Sequence, residues 1–354
     1  VTVAKSGGQY KTIQDAVDSL STTSSAAQCI FINPGTYSEQ VLVSSRSAQL
    51  TIYGYTSDTS SYSSNQVTIT ASKSQADGLS NDQTGTLRIK ANNFKLYNIN
   101  VNNGHGAGSQ AIALSAYADS GYYGCAFTGY QDTLLANQGT QLYSHCMIQG
   151  ATDFIFGQHA PAWFEKCDIR VLARGSGGCI TGKDMTIMSL ILVSRLRYHF
   201  PYHSISYITH PYYSGRKMLS TLVLSRLTRV SAASGRSSSS DSNYYVFNGG
   251  SVAAASGNNV ADGTYYLGRP WADYARVVFQ RTSLSSVVNA AGWKEWSSSD
   301  DRTDHVTFEE YGNTGAGAQG TRASFSKKLS SAVDIESVLG SGVTSKQWYD
   351  ADYM

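Results

Sequence analysis

The 354 residues carry 27 basic and 25 acidic side chains, a net charge of +2, and only 15% of them are charged, against about 25% in ordinary soluble chains. That balance supplies no broad cationic face for nucleic acid and no acidic tail, and the length excludes a peptide hormone or a disulfide knot. The longest strongly apolar run, residues 185–193, is closed by Arg195 and falls well short of the roughly 20 residues needed to span a bilayer, so no membrane partner is expected.

Val1 opens the chain with neither an initiator Met nor an apolar leader. This fits a secreted protein after signal removal, although an arbitrary boundary would look the same. The Gly, Tyr, Ser and Thr content gives the neutral-polar surface often met in secreted carbohydrate-active proteins, and an extracellular location is the expectation. Thr12-Ile-Gln-Asp15 reads as a capping box, and Ile13, Ala16, Val17 and Leu20 follow at helical spacing, so one short amphipathic helix is predicted. Short strand-like runs come next, at 29–33, 41–43, 50–53, 67–71, 86–90 and 95–101, separated by Gly, Asn, Asp and Ser. Strand spacing alone suits a sandwich, a barrel or a β-solenoid.

An internal repeat favours the solenoid. Cys125, Cys146 and Cys167 are separated by 21 and 21 residues, Phe127, Ile148 and Ile169 repeat the step, and Gly129 with Gly150 and Asp132 with Asp153 keep the same phase. A period near 21 is about one turn of a parallel β-helix, in which equivalent residues stack on rungs roughly 4.8 Å apart. Cys, Phe and Ile would then form inward ladders. Cys146 and Cys167 could join in a disulfide or remain buried thiols, and the five cysteines leave at least one unpaired within a monomer.

Stacked on neighbouring rungs, Asp132 and Asp153 would hold two carboxylates close enough to drive their proton affinities apart, one protonated and one ionised. Such a pair suits general acid/base work beside a carboxylate nucleophile, and Gln131 adds a neutral donor for a developing oxyanion. A hydrogen-bonded Asp ladder of purely structural use is the alternative that spacing alone leaves open.

The stretches Gly129-Tyr-Gln-Asp-Thr-Leu134, Asp153-Phe-Ile-Phe-Gly157 and Tyr266-Leu-Gly-Arg-Pro-Trp271 together closely resemble the signature segments of pectin methylesterases. The resemblance takes in the opening at 3–14, Pro34-Gly-Thr-Tyr37, Gln110-Ala-Ile-Ala-Leu114 and Gly292-Trp293, and spans roughly 1–181 and 233–325. The run at 235–241 and the single-domain length look more like fungal members than plant ones. The resemblance implies an all-β, right-handed parallel β-helix with a short N-terminal capping helix. It also implies hydrolysis of the methyl esters of galacturonate units in pectin, with release of methanol, by a secreted enzyme that needs neither metal nor organic cofactor; a monomer is the default expectation.

Carried over residue by residue, the resemblance makes Asp153 the nucleophile, standing in an exposed groove, and Asp132 the general acid and then base. Gln131 would bind the oxyanion with support from Gln110, Arg269 would keep Asp153 ionised and aimed, and Trp271 and Phe156 would line the sugar groove. Each has a plainer reading: a surface ion pair for Arg269, packing for Trp271, a turn hydrogen bond for Gln110, core filling for Phe156. Two other functions share such a fold: a polygalacturonase or pectate-lyase chemistry, and a noncatalytic pectin-binding protein.

Between Gly182 and Ala232 nothing resembles the family. The block holds seven basic residues and one acid, and without it the chain keeps 20 basic and 24 acidic residues, a net −4. Two readings stand: a basic, aromatic lid able to attract an anionic polymer, or a translated unspliced intron, whose removal would join Thr181 to Ala233 and restore family-like wording.

Overall fold

The computed structural model describes residues 1–174, 178–181 and 235–354. The block at 182–232 lies outside the described residues. Strands of two to five residues follow one another with sharp bends between them, and between the two ends each pairs in parallel with the equivalent strand one turn on rather than with its sequence neighbour, while at the ends Thr2–Val3 pairs with Gln28–Ile32 and Thr307–Tyr311 with Ser326–Lys328. Among the described residues this yields parallel sheets of 11, 7 and 8 strands, the three walls of a parallel β-helix. With only two to five residues per strand, stability comes from stacking across rungs, and the sequence supplies it in columns.

In the 11-stranded wall the inward column runs Ile30, Ile52, Leu96, Tyr122, Tyr143, Phe164, Phe247, Phe279. Ring centroids along it are 4.7 Å apart for Tyr122–Tyr143, 4.8 Å for Tyr143–Phe164, 4.4 Å for Phe164–Phe247 and 4.2 Å for Phe247–Phe279, all nearly parallel. The strand spacing thus dictates the ring spacing, and the stack fills the core with large apolar faces. In the 8-stranded wall Phe127, Ile148 and Ile169 lie in register, as the 21-residue period requires, and the column continues to Val252 and Leu284.

Cys125, Cys146 and Cys167 stack at the corner between these walls as thiols. Each Sγ reaches the carbonyl two residues before it, at 3.4 Å for Cys125 and Cys146 and 3.5 Å for Cys167. Burial pushes the Cys125 and Cys146 thiols well above their ordinary range. The disulfide alternative is therefore set aside for a buried thiol ladder.

The predicted helix is present as Ile13–Ser19, with the Thr12 hydroxyl accepting from the Asp15 amide and Ile13, Ala16 and Val17 buried. One predicted strand is corrected. Residues 95–101 form two strands, Phe94–Tyr97 and Asn100–Asn103, because Asn98 takes φ +52° and turns the chain from one wall to the next. Its amide anchors the bend by donating to the Thr59 carbonyl at 3.2 Å.

A further layer has no counterpart among the predicted elements. Residues 329–354 cross the outer face of the 11-stranded wall, where Val338, Leu339, Val343 and Trp348 pack on Tyr97, Tyr123, Leu142, Trp163, Val246 and Val278. The Tyr97 hydroxyl donates to Asp350 Oδ2 at 2.6 Å, pinning this strap.

Candidate active site

The seven-stranded wall carries the candidate residues. Its inner column, Leu114, Leu134, Ile155, Thr181, Gly268, is in register, and the residues just ahead of these strands set the site. Gln131 pairs with Thr152 in a parallel bridge. The Ala111 amide donates to Gln131 O, the Asp132 amide to Thr152 O and the Asp153 amide to Cys179 O, each at 3.1 Å. Asp132 and Asp153 therefore occupy the same register position on adjacent rungs, with Gln131 beside the first and Gln110 one rung earlier. Both aspartates have left-handed backbone, φ +63° and +51°, a conformation uncommon outside Gly, Asn and Asp that clusters at functional sites.

The glycines of the repeat have a steric reason. A Cβ on Gly150 would lie 2.3 Å from Phe154 Cβ, and one on Gly129 2.7 Å from Thr133 Oγ1. In each turn the residue after the aspartate folds back onto the glycine; at Gly150 the contact is with a Cβ next to the backbone, so that bend needs the position bare, while at Gly129 it is with a hydroxyl that can rotate.

Exposure corrects one expectation. Asp132 and Asp153 are both fully buried, 0% exposed, rather than standing in an open groove. Gln110 is 4% and Arg269 5% exposed, while Gln131 and Trp271 are half-buried. Phe156 is fully buried in a small cluster with Ile112 and Leu135, separate from the inner core. Leu135 stands between the inward Leu134 and Ala136, so this cluster belongs to the outer side of the wall.

Arg269 follows the strand Tyr265–Gly268, two rungs beyond that of Asp153. Its Nη1 donates to the Trp296 carbonyl at 2.6 Å, and its guanidinium carbon lies 4.3 Å from the centre of the Trp296 ring. Trp271 packs against Gly235, where a Cβ would come within 2.5 Å of the indole. Its carbonyl accepts from Arg302 Nη1. Burial, more than the neighbouring Arg174, Tyr130, Cys179 and Asp153 charges, governs the Tyr265 phenol and raises it above its ordinary range.

Three residues near the site escape sequence reasoning. Trp296 and Arg302 come from a loop after the next rung, and Arg174 donates to Thr152 Oγ1 at 2.6 Å, immediately before Asp153. None lies at a repeat spacing, and the one signal the sequence offers is the density of Trp after Gly292.

The pectinesterase family model matches residues 1–183 and 221–339. A pectinesterase of Aspergillus aculeatus is 48% identical over 356 aligned residues, covering 100% of this chain and 92% of that protein. The crystal structure of the deglycosylated pectin methylesterase from Aspergillus niger superposes with a TM-score of 0.78 at 38% identity, covering 100% of this chain and 97% of that one. The carrot pectin methylesterase gives 0.77 at 26% identity, covering 99% and 95%. The stacked aspartates, the fold that aligns them and these likenesses agree, and the chain belongs to the pectinesterase family of carboxylic ester hydrolases.

Proposed function

We propose that the chain removes methyl groups from the galacturonate units of pectin with Asp153 as nucleophile and Asp132 as proton carrier. The observation that carries the reading is the register of these two carboxyl groups, one rung apart and both withdrawn from water. Two carboxylates so placed cannot both ionise easily, so one proton is shared out unequally. An ionised Asp153 oxygen attacks the ester carbonyl carbon, and Gln131, supported by Gln110, donates to the resulting oxyanion. Collapse breaks the carbon–methoxy bond, and Asp132 gives its proton to the departing oxygen, releasing methanol.

The acyl group is then held on Asp153 as an anhydride. Asp132, now a carboxylate, takes a proton from water as the water oxygen bonds to the acyl carbon. Expulsion of Asp153 leaves a galacturonic acid that ionises to solvent, so one ester and one water yield methanol, a carboxylate and a proton. Arg269 holds Asp153 ionised and aimed, since a guanidinium favours the charged carboxylate. Trp271 contacts the sugar, and Phe156 forms the apolar floor beneath it.

The working protein is read as a secreted monomer, a single β-helix domain needing no cofactor. The block at 182–232 is read as foreign to it, a translated intron. Two observations support this: the family match leaves out 184–220, most of the block, although it takes in 221–232, and the strands Gly178–Thr181 and Tyr244–Asn248 on either side pair with their neighbours without slip.

The test is methanol release from highly methylated pectin with polymer length followed in parallel, for the full chain and for a version lacking 182–232. Methanol without chain shortening is the expected result, with the shorter version at least as active. Chain shortening, or two folded proteins that release no methanol, would overturn the reading.

A further inference from the structure

Arg302 belongs to none of the motifs, yet it touches the supports of two residues placed in the site. Its Nε and Nη2 both engage Asp300 Oδ2, at 2.9 and 2.7 Å, and its Nη1 donates to the Trp271 carbonyl. Its guanidinium carbon lies 4.5 Å from the centre of the Trp296 ring, the same indole that carries Arg269 at 4.3 Å. Trp296 also gives Arg269 a carbonyl acceptor at 2.6 Å, and its own amide is fixed to Asp301 O at 3.0 Å. Ser297 and Asp300 close the loop with another backbone bond at 3.0 Å. The backbone of Arg302 itself is left-handed, φ +54°, which a bulky residue holds only where surrounding contacts over-determine it.

We propose that Arg302 is a positioning residue of the esterase, locking the 296–301 loop to the 269–271 turn and so fixing the Arg269 guanidinium and the Trp271 indole relative to the aspartate pair. An arginine side chain left unclamped samples many rotamers, and a guanidinium's directed N–H groups serve a carboxylate best when the fork is held in place. Trp296 supplies Arg269 with a carbonyl and a ring face, and Arg302 holds Trp296 from the same ring. Two cations on one indole would repel, but the Asp300 carboxylate, taken up by two nitrogens of Arg302, offsets that charge locally. No shorter side chain can bond Asp300 and Trp271 O while resting on the ring. The inference rests on the reading of Arg269 and Trp271 given under the proposed function.

The experiment compares R302Q, R302K and R269A with the parent enzyme on highly methylated pectin, measuring kcat, KM and the pH profile of kcat/KM, with folded fraction from thermal melting. R302Q is expected to lose roughly tenfold or more in kcat/KM, as sub-ångström misplacement of a reacting group does. The acidic limb of its profile should move to higher pH, because a carboxylate less firmly held by Arg269 protonates more readily. R302K keeps the charge but not the fork and should stay close to R302Q. The proposal is overturned if R302Q keeps parental kcat and limb, if its activity falls only in step with folded protein, or if R302K restores full turnover. Full activity in R269A would instead remove the site reading itself, whereas an inactive R269A beside a normal R302Q would sink only the role of Arg302.

Discussion

Replacing Gly150 by Ala tests whether the repeat glycines exist to place the carboxylates. The new methyl would sit 2.3 Å from Phe154 Cβ and 2.5 Å from Phe154 Cγ, more than an ångström inside ordinary carbon contact of roughly 3.5–4.0 Å. The obstructing atom is next to the backbone, so no rotamer change relieves it. The main chain at Phe154 must move, and Asp153 is the preceding residue. Overpacking of this kind costs about 1–3 kcal/mol of stability. A shift of about 1 Å at a reacting group costs about 100-fold in rate, or about 2.7 kcal/mol of barrier.

Gly129→Ala supplies the internal control. There the close atom is Thr133 Oγ1 at 2.7 Å, on a side chain that can rotate away and give up its bond to the Gln149 carbonyl at 3.0 Å, worth about 1 kcal/mol. Methanol-release kinetics and melting curves on both variants decide the matter. The expected order is a large loss of kcat in Gly150→Ala and a small one in Gly129→Ala. Parental kcat and melting temperature in Gly150→Ala, or equal losses in the two, would refute the reasoning.

The other expectations reach the chemistry, the core, the strap and its pH dependence. Asp153→Asn keeps the shape of a fully buried side chain but removes the proposed nucleophile, so kcat should fall by about 10⁴ or more with unchanged circular dichroism; near-parental turnover would exclude Asp153 as nucleophile. Phe164→Ala removes a ring stacked at 4.8 and 4.4 Å on two neighbours and should cost about 3–5 kcal/mol in urea unfolding, a loss below about 1 kcal/mol contradicting the stacked core. Deleting 329–354 uncovers Tyr97, Tyr123, Leu142 and Trp163 together, and light scattering should report aggregation where the full chain stays dispersed. Burial, with Lys166 adding to it, lowers the His145 imidazole below its ordinary value. The folded state therefore binds fewer protons there than the unfolded chain, and the stability from neutral His145 is present above the ordinary histidine range and lost as pH falls through and below it. His145→Gln should flatten the decline of melting temperature between about pH 7 and 5 relative to the parent, and an unaltered slope would count against this assignment.

The fold is legible where its turns are short. Phe127, Ile148 and Ile169 are spaced by 21 and pair accordingly, but the same column reaches back from Phe127 to Val101 and Ile69 at steps of 26 and 32. Longer turns there leave the strands in phase in space and out of phase in sequence. A solenoid conserves its rungs and not its loops, so a fixed period finds only the rungs whose connections have equal length. The strap is hidden for a different reason. Tyr97, Tyr123 and Leu142 face outward beneath it, and apolar residues on both faces of a strand indicate that something covers it without indicating which segment.

The site divides along the same physical line. Asp132, Asp153 and their glycines come from two consecutive turns of equal length, so a sequence repeat maps directly onto a spatial pair, and residue spacing alone reaches the two carboxylates. Arg269 enters from two rungs further along, beyond a chain separation of 116 residues from Asp153, and only a motif resemblance could nominate it. Trp296 and Arg302 lie further out still, in a loop that repeats nothing. What they contribute is orientation, and orientation depends on which carbonyl a guanidinium meets and which ring it rests on. Periodicity carries the wall and the two acids standing on it; the clamp that aims the arginine is made by loops, whose lengths and sequences a rung repeat leaves free. Variation in how members of such a fold are tuned should therefore concentrate in those loops, while the aspartate register stays tied to the roughly 4.8 Å step that the backbone imposes.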